Sequence, residues 1–327
     1  MSSNGYSQPA VPPHRSAPGI WGGSALYGPF PFPEVRPRQR YWLHALLFLL
    51  TLLSTTVVGA GMAADFAQNR PVDFDANLYG YVRMWHEPSF LLAGLPFALS
   101  LLGILMAHEM GHFLAARYYH VNVTLPFFLP APTLIGTLGA FIRIRSAVPT
   151  KRVMFDIGIA GPLAGFVALL APLASGVSLS KVIPGIANRG DLIFGTPLIL
   201  RLVEWVQFPG VSPADLYLHP VARAAWAGLL ATALNLLPIG QLDGGHILYA
   251  LVGERIKVLS YAFIAALIPL GIFFSYSWLV WAALLFFIAR RHPFIPDDRP
   301  LDPVRRRLAW VALAILILSF TPAPVRT

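Results

Sequence analysis

The chain has 327 residues, of which 56% are hydrophobic and only 12% are charged. Ordinary soluble domains are about 25% charged, so the composition excludes a soluble globular protein and predicts a multi-span protein in contact with membrane lipid. The 24 Lys and Arg residues exceed the 15 acidic residues. Because such an excess marks cytoplasmic loops in membrane proteins, we do not expect a nucleic-acid partner. The absence of cysteine excludes thiolate metal sites and cysteine nucleophiles.

The N-terminal segment differs from the rest of the chain. Residues 1–40 contain eight prolines and no apolar period, which predicts a disordered cytoplasmic tail ahead of a membrane bundle at 41–327. The uncharged run at 42–62 follows the basic end of this segment and is long enough to span a bilayer. A cleavable signal peptide is the alternative, but the apolar regions of signal peptides are only about 7 to 15 residues long.

Further apolar runs predict a total of about seven transmembrane helices. These runs lie at 89–107, 153–175, 224–242, 258–289 and 308–325. The run at 258–289 would form a helix of about 48 Å against a hydrocarbon core of about 30 Å. We therefore predict two helices there, with a turn near 269–277.

The basic residues predict the orientation of these helices. With the N-terminus inside and seven spans, 17 Lys and Arg residues lie on the cytoplasmic side and 7 lie outside, as the positive-inside rule requires. The apolar segment at 192–208 carries Arg201 and Glu204 three positions apart, which favours an interfacial helix over a span. We expect an integral protein of a prokaryotic cytoplasmic membrane.

A motif with metal-ligand spacing lies in the second apolar stretch. His108, Glu109 and His112 form an HExxH sequence. Positions i and i+4 of a helix share one face, so both imidazoles can bind one zinc ion while the glutamate acts as a general base. Ionisable residues within a span are costly and are functional by default. The alternative is a pair of neutral, merely buried histidines with an incidental glutamate.

Catalytic zinc has three protein ligands and one open position, so the motif leaves one ligand to be found. Asp243 follows the run at 224–242 and lies at the depth of the histidines if both helices run from outside to inside. Pro238 ends or kinks that helix. We predict that Asp243 is the third ligand. His246 is its main competitor, and the other alternative for Asp243 is a helix cap or an ion pair.

The two motifs together resemble the site-2 protease family of intramembrane zinc metalloproteases. They read HEMGH from His108 and NLLPIGQLDGG from Asn235. The resemblance implies that His108, His112 and Asp243 hold one zinc ion. It also implies that Glu109 is the general base and that Asn235 supports the tetrahedral intermediate or holds substrate. Independently, an asparagine in a span often only hydrogen-bonds a neighbouring helix.

The resemblance covers roughly residues 90–250. Residues 155–162 are similar to the helix that packs between the two catalytic helices of the family. Independently of this likeness, Gly158, Gly161 and Gly165 allow close helix contact in lipid. Asp156 begins this run, and we expect a structural role for it, for example as a helix cap. Since we find no stretch long enough for a PDZ domain, the chain is more similar to the PDZ-lacking, plastid-type branch.

A non-helical segment follows the HExxH helix. Residues 125–132 contain three prolines and cannot continue a helix, whereas 134–145 mix glycine with β-branched and aromatic residues. We predict a re-entrant strand or hairpin near the zinc, whose edge can pair with an unwound substrate segment. An ordinary cytoplasmic loop is the alternative.

These features predict an all-α polytopic zinc metalloprotease that hydrolyses peptide bonds in transmembrane protein substrates. The family resemblance implies that these substrates are single-span proteins. A metal or proton transporter would also place His and Asp inside a bundle, but it needs no glutamate directly after the first histidine. A catalytically silent membrane chaperone of the same fold would lack the metal set. The sequence does not specify the substrate or the oligomeric state.

Overall fold

The computed structural model describes residues 40–71, 74–186, 189–190, 193–289, 295, 297 and 299–326. Apart from Arg40, the tail predicted at 1–40 lies outside these residues. The same is true of Arg290 and Arg291, which belong to the predicted cytoplasmic set.

The described part of the chain contains ten α-helices. They are α1 (Tyr41–Ala67), α2 (Phe74–His86), α3 (Leu95–Tyr118), α4 (Lys151–Ser178), α5 (Leu198–Gln207), α6 (Pro220–Asn235), α7 (Asp243–Val252), α8 (Ile256–Phe273), α9 (Ser277–Ile288) and α10 (Pro303–Ser319). A 3-10 helix at Pro88–Gly94 leads into α3, and another at Gly253–Arg255 joins α7 to α8. The structure is therefore mostly helical, as predicted.

Three short antiparallel ladders join loops in the described residues. They are β1 (Phe127–Pro130) with β2 (Thr137–Phe141), β3 (Lys181–Val182) with β5 (Leu216–Tyr217), and β4 (Ile193–Phe194) with β6 (Val325–Arg326).

Four helical stretches in the described residues are long and apolar enough to cross a membrane. They are Tyr41–Ala67, Pro88–Tyr118, Lys151–Ser178 and Asp243–Phe273. α6 has 16 residues and α10 has 17, which is slightly short for an untilted span of about 20 residues. The count of seven spans stays a prediction.

The apolar run at 258–289 is divided into two helices, as predicted. α8 ends at Phe273 and α9 begins at Ser277. The rings of Tyr261, near the start of α8, and Phe286, near the end of α9, lie 6.0 Å apart. The two helices therefore pack as an antiparallel pair.

α4 lies at the centre of the bundle, where it packs against α3, α6 and α7. Its N-cap is Thr150, whose side chain accepts a hydrogen bond from the backbone N–H of Val153. The expectation that Asp156 caps this helix is therefore wrong. Asp156 accepts hydrogen bonds from the Tyr119 hydroxyl at 2.5 Å and from Nε of Arg305 at 2.8 Å. Its role is still structural, because it ties α4 to α10.

The segment after α3 forms the predicted β-hairpin. β1 and β2 pair from Phe127 with Phe141 to Pro130 with Thr137, with an irregularity between them. The tip packs on α1, where the hydroxyl of Ser54 donates to the carbonyl oxygen of Gly136 at 2.6 Å. Gly136 has a φ of 77°, and a Cβ there would lie 2.7 Å from the Ser54 carbonyl oxygen. Only glycine fits this contact. That the hairpin re-enters the membrane stays a prediction.

α5 confirms a helix in the segment at 192–208, but its two charged residues differ in environment. Arg201 is exposed, whereas Glu204 is buried with 6% of its surface exposed. The carboxyl group therefore points into the protein and does not share a polar surface with Arg201.

Candidate active site

α3 presents the two histidines of the HExxH motif on one face. The first half of the helix is held in the hydrophobic core by Phe97 and Leu101, and the histidines follow two to three turns later. His108 and His112 are both buried, and their Nε2 atoms lie 3.2 Å apart. The helix alone therefore points two metal-binding nitrogens at one spot.

A different part of the chain brings Asp243 to the same spot. α6 ends at Asn235, and after a non-helical link α7 begins at Asp243. One carboxylate oxygen lies 3.1 Å from Nε2 of His108, and the other lies 3.3 Å from Nε2 of His112. Among the described residues, these three side chains form the group that could hold a metal ion, with ligand atoms within 4.8 Å of one another.

The donor set fits zinc. Nδ1 of His112 lies 2.7 Å from the carbonyl oxygen of Ile157, so it carries the proton and leaves Nε2 with a lone pair. That lone pair faces Nε2 of His108 and a carboxylate oxygen of Asp243, an arrangement that a cation between them stabilises. The donor separations of 3.1 to 3.3 Å are close to the edge, roughly 3.3 Å, of a tetrahedron with bonds of roughly 2.0 Å.

Two further polar side chains border the three donors. Glu109 is 5% exposed, and the backbone of Ile142 hydrogen-bonds its carboxylate. The amide nitrogen of Asn235 lies 3.2 Å from Nε2 of His108. A buried carboxyl group and an amide that can donate a hydrogen bond therefore lie next to the candidate metal site.

Glycines of α4 form the wall behind the histidines. A Cβ at Gly161 would lie 2.0 Å from Nε2 of His112, and one at Gly165 would lie 3.0 Å from Cβ of His108. The close helix contact predicted for these small residues is confirmed, and its partners are the imidazoles themselves.

The three donors, the glutamate of the motif and the asparagine line one cavity of about 240 Å³. Its wall includes the end of β2 at Ala140 and Phe141, followed by Ile142. His246 also lines the cavity, and its Cβ is the nearest neighbour of a Cβ built at Gly158. His246 is not part of the three-residue donor group found among the described residues.

Some contacts of the site could not be predicted from the sequence. The carbonyl of Ile157 and the backbone of Ile142 act through main-chain atoms, which every residue type offers. The mix of glycine with β-branched and aromatic residues at 134–145 was the one available sign that extended backbone would border the site.

Comparisons with known proteins agree with this geometry. The family model of peptidase family M50 matches residues 96–277. The chain is 32% identical over 293 residues to "Probable zinc metalloprotease EGY1, chloroplastic" of Oryza sativa subsp. japonica, covering 86% of this chain and 50% of the rice protein. The protein of the same name from Arabidopsis thaliana is 32% identical over 297 residues, covering 86% of this chain and 53% of its own length.

A second relative of Arabidopsis thaliana, "Probable zinc metalloprotease EGY2, chloroplastic", is 31% identical over 240 residues, covering 69% of this chain and 40% of its own. The chain thus spans about half the length of the first two relatives. These names place the relatives in chloroplasts, so the expectation of a prokaryotic cytoplasmic membrane stays a prediction. The profile match covers more than half of this sequence and includes both motifs, and the chain belongs to peptidase family M50, the site-2 protease family.

Proposed function

We propose that this protein is an intramembrane zinc metalloprotease that hydrolyses peptide bonds within or near transmembrane helices of membrane-protein substrates. One observation carries the proposal. Two histidines of an apolar helix and an aspartate from a separate helix converge, with donor separations of 3.1 to 3.3 Å, beside a buried glutamate. The relatives' names support the same chemistry.

In this proposal His108, His112 and Asp243 hold one zinc ion. Bound zinc supplies a Lewis acid that polarises the scissile carbonyl and lowers the pKa of a water molecule to about 7. Glu109 accepts a proton from the attacking water and passes it to the leaving amine. The amide of Asn235 donates a hydrogen bond to the carbonyl oxygen of the substrate as negative charge develops on it.

In this proposal, the hairpin binds an unwound segment of the substrate. Among the described residues, β2 pairs only with β1, and the end of β2 lines the cavity. A peptide bond inside a helix is shielded by its own backbone hydrogen bonds, so cleavage requires an extended segment. We infer that the substrate adds as a strand to the free edge of β2, and that the hairpin re-enters the membrane to present this edge.

The proposed organisation is a cytoplasmic tail at 1–40 and a bundle at 41–327 with seven spans and a cytoplasmic N-terminus. The bias of 17 to 7 basic residues supports it. In this orientation the hairpin and the active-site cavity open toward the cytoplasm.

The test is cleavage of a fluorescent single-span reporter in proteoliposomes, together with zinc analysis of the purified protein. Glu109→Gln is expected to keep zinc, because all three ligands remain, and to lose about 100- to 10,000-fold in cleavage rate, the usual contribution of a general base. The matched control is Glu254→Gln, at an exposed residue paired with Lys257, which should cleave like the wild type. Undiminished cleavage by Glu109→Gln would contradict the proposal. Zinc transport across the vesicle membrane without cleavage would favour the transporter.

A further inference from the structure

A second cavity, of about 90 Å³, lies at the end of α6 opposite to the active site. Arg223 lines it, and Asn235 of the active site is twelve positions later on the same helix, a distance of about 18 Å. The cavity is therefore a separate site, and in the proposed orientation it lies on the external side. Its wall is mostly apolar and includes Met62, Ile135, Phe194 and Trp226.

Glu204 contributes a buried carboxyl group to this wall. Its side chain is 6% exposed, and its Oε2 atom has no hydrogen-bond partner among the described residues. Leaving such a group unpaired is costly. Burial raises the pKa of Glu204 to about 7, although Arg201 opposes the shift. Near neutral pH the group can therefore both donate and accept a hydrogen bond.

Arg223 contributes a guanidinium group to the same wall. Its Nε donates to the carbonyl oxygen of Leu218 at 3.1 Å. Its guanidinium carbon lies 5.1 Å from the ring centroid of Tyr217 and 5.7 Å from that of Phe194, and Asp65 adds electrostatic attraction. These contacts fix the head group. Its Nη1 atom is nevertheless buried with no acceptor among the described residues.

Two other polar groups of the wall are already paired. The indole N–H of Trp226 donates to the carbonyl oxygen of Gly195 at 2.7 Å, and the hydroxyl of Tyr217 donates to that of Arg70. Among the described residues, the cavity therefore combines an apolar wall with an unsatisfied carboxyl group and an unsatisfied cationic donor. A single water needs about 10 to 15 Å³ of such volume, so there is room for several waters or for one small organic group.

We propose that this cavity binds an amino-acid unit with a free carboxylate and an apolar side chain. The carboxylate accepts from Nη1 of Arg223, the neighbouring N–H donates to Glu204, and the side chain packs on the apolar wall. Two sources share this chemistry, a free amino acid and the C-terminal residue of a peptide.

The test is calorimetric titration of the full chain in nanodiscs with leucine, N-acetyl-leucine and N-acetyl-leucinamide. We expect at least one of the two acids to bind with a Kd on the order of 1 mM or tighter, and the amide, which lacks the carboxylate, to bind at least tenfold more weakly. Tighter binding of leucine identifies a free amino acid, and tighter binding of N-acetyl-leucine identifies a peptide end. Arg223→Gln should lose at least tenfold in affinity, whereas the control Arg307→Gln, at an exposed arginine of α10, should bind like the wild type.

A second measurement needs no variant, in case Arg223→Gln does not fold. The N-acetylated diazirine analogue of leucine, photolysed with the wild-type protein, should label residues of the cavity wall, which lie at 62, 71 and 135 and between 186 and 226. N-acetyl-leucine should prevent this labelling and N-acetyl-leucinamide should not. Equal binding of acid and amide, no binding of either acid below about 10 mM, or labelling elsewhere would overturn the proposal and leave a cavity that holds only water.

Discussion

His112 is the most constrained side chain of the candidate metal site. Its Nδ1–H donates to the carbonyl oxygen of Ile157 on α4, so its other nitrogen must face the remaining donors. A hydrogen bond of this kind orients a metal-binding histidine and fixes its tautomer. The backbone of α4 thus orients a side chain of α3 within the group that could hold a metal ion.

The identity of the third metal ligand can be tested with two variants. We expect Asp243→Ala to abolish cleavage and lower zinc retention, because Asp243 lies 3.1 Å from Nε2 of His108 and 3.3 Å from Nε2 of His112. His246→Ala should keep zinc and measurable cleavage. The measurement is zinc per chain by mass spectrometry after dialysis, with the reporter assay in parallel. The reverse pattern would assign the site to three histidines.

Much of the site could be predicted because its geometry is local. The spacing of His108 and His112 places both on one helical face whatever the tertiary fold. The approach of Asp243 depends on how two helices pack, and the sequence suggested it through their matched depth and through the family resemblance of the two motifs. Pairs such as Asp156 with Arg305 are 149 positions apart and carry no periodic signal. The same is true of Glu204 and Arg223, which line one cavity from two different helices.

Gly161 of α4 leaves no room for a larger side chain beside α3. Gly161→Ala would place a Cβ 2.0 Å from Nε2 of His112, closer than any real contact. Because overpacking displaces side chains, we expect this variant to lose at least tenfold in zinc affinity while its helical circular dichroism is kept. The control is Gly103→Ala on α3, where a Cβ meets nothing within 4 Å. Normal zinc binding by Gly161→Ala would show that the imidazole can move freely.

α5 offers a test of pH dependence. Burial raises the pKa of Glu204 from its ordinary 4.5 to about 7, so between these values the folded state holds a proton that the unfolded state has released. Stability from this group therefore falls as the pH rises from about 4.5 to 7, and the loss stays in full above 7. Glu204→Gln should raise the Tm relative to the wild type more at pH 8 than at pH 5, as followed by tryptophan fluorescence.

The matched control for this experiment is Glu87→Gln, at an exposed glutamate that pairs with Arg83. Its Tm difference from the wild type should not grow between pH 5 and pH 8. If Glu204→Gln behaves in the same way as this control, the carboxyl group is not buried in solution.

For the whole molecule, hydropathy predicted where apolar segments lie better than it predicted how many of them cross the membrane. The hydropathy of the run at 224–242 did not show that its helix ends at Asn235, several residues before the run itself ends. Pro238 marked the break only approximately, because the residues before a proline also leave the helical region. Helix length therefore leaves α6 and α10 near the threshold for a span. Whether they cross the membrane must be decided by the side on which the segments around them lie.

Cysteine labelling can distinguish seven spans from four, since the chain has no cysteine of its own and every signal comes from the introduced residue. With seven spans, Tyr79→Cys, at a 73% exposed position of α2, and Thr327→Cys should react with an impermeant maleimide in intact bacterial cells. Ala147→Cys, at an exposed position between β2 and α4, should react only after lysis.

An odd number of spans puts the two ends of the chain on opposite sides, whereas a chain with only the four long spans returns its C-terminus to the cytoplasm. Protection of Thr327→Cys together with labelling of Tyr79→Cys would therefore refute seven spans while keeping the orientation. Labelling of Ala147→Cys in intact cells would reverse the orientation and put the active-site cavity on the external side.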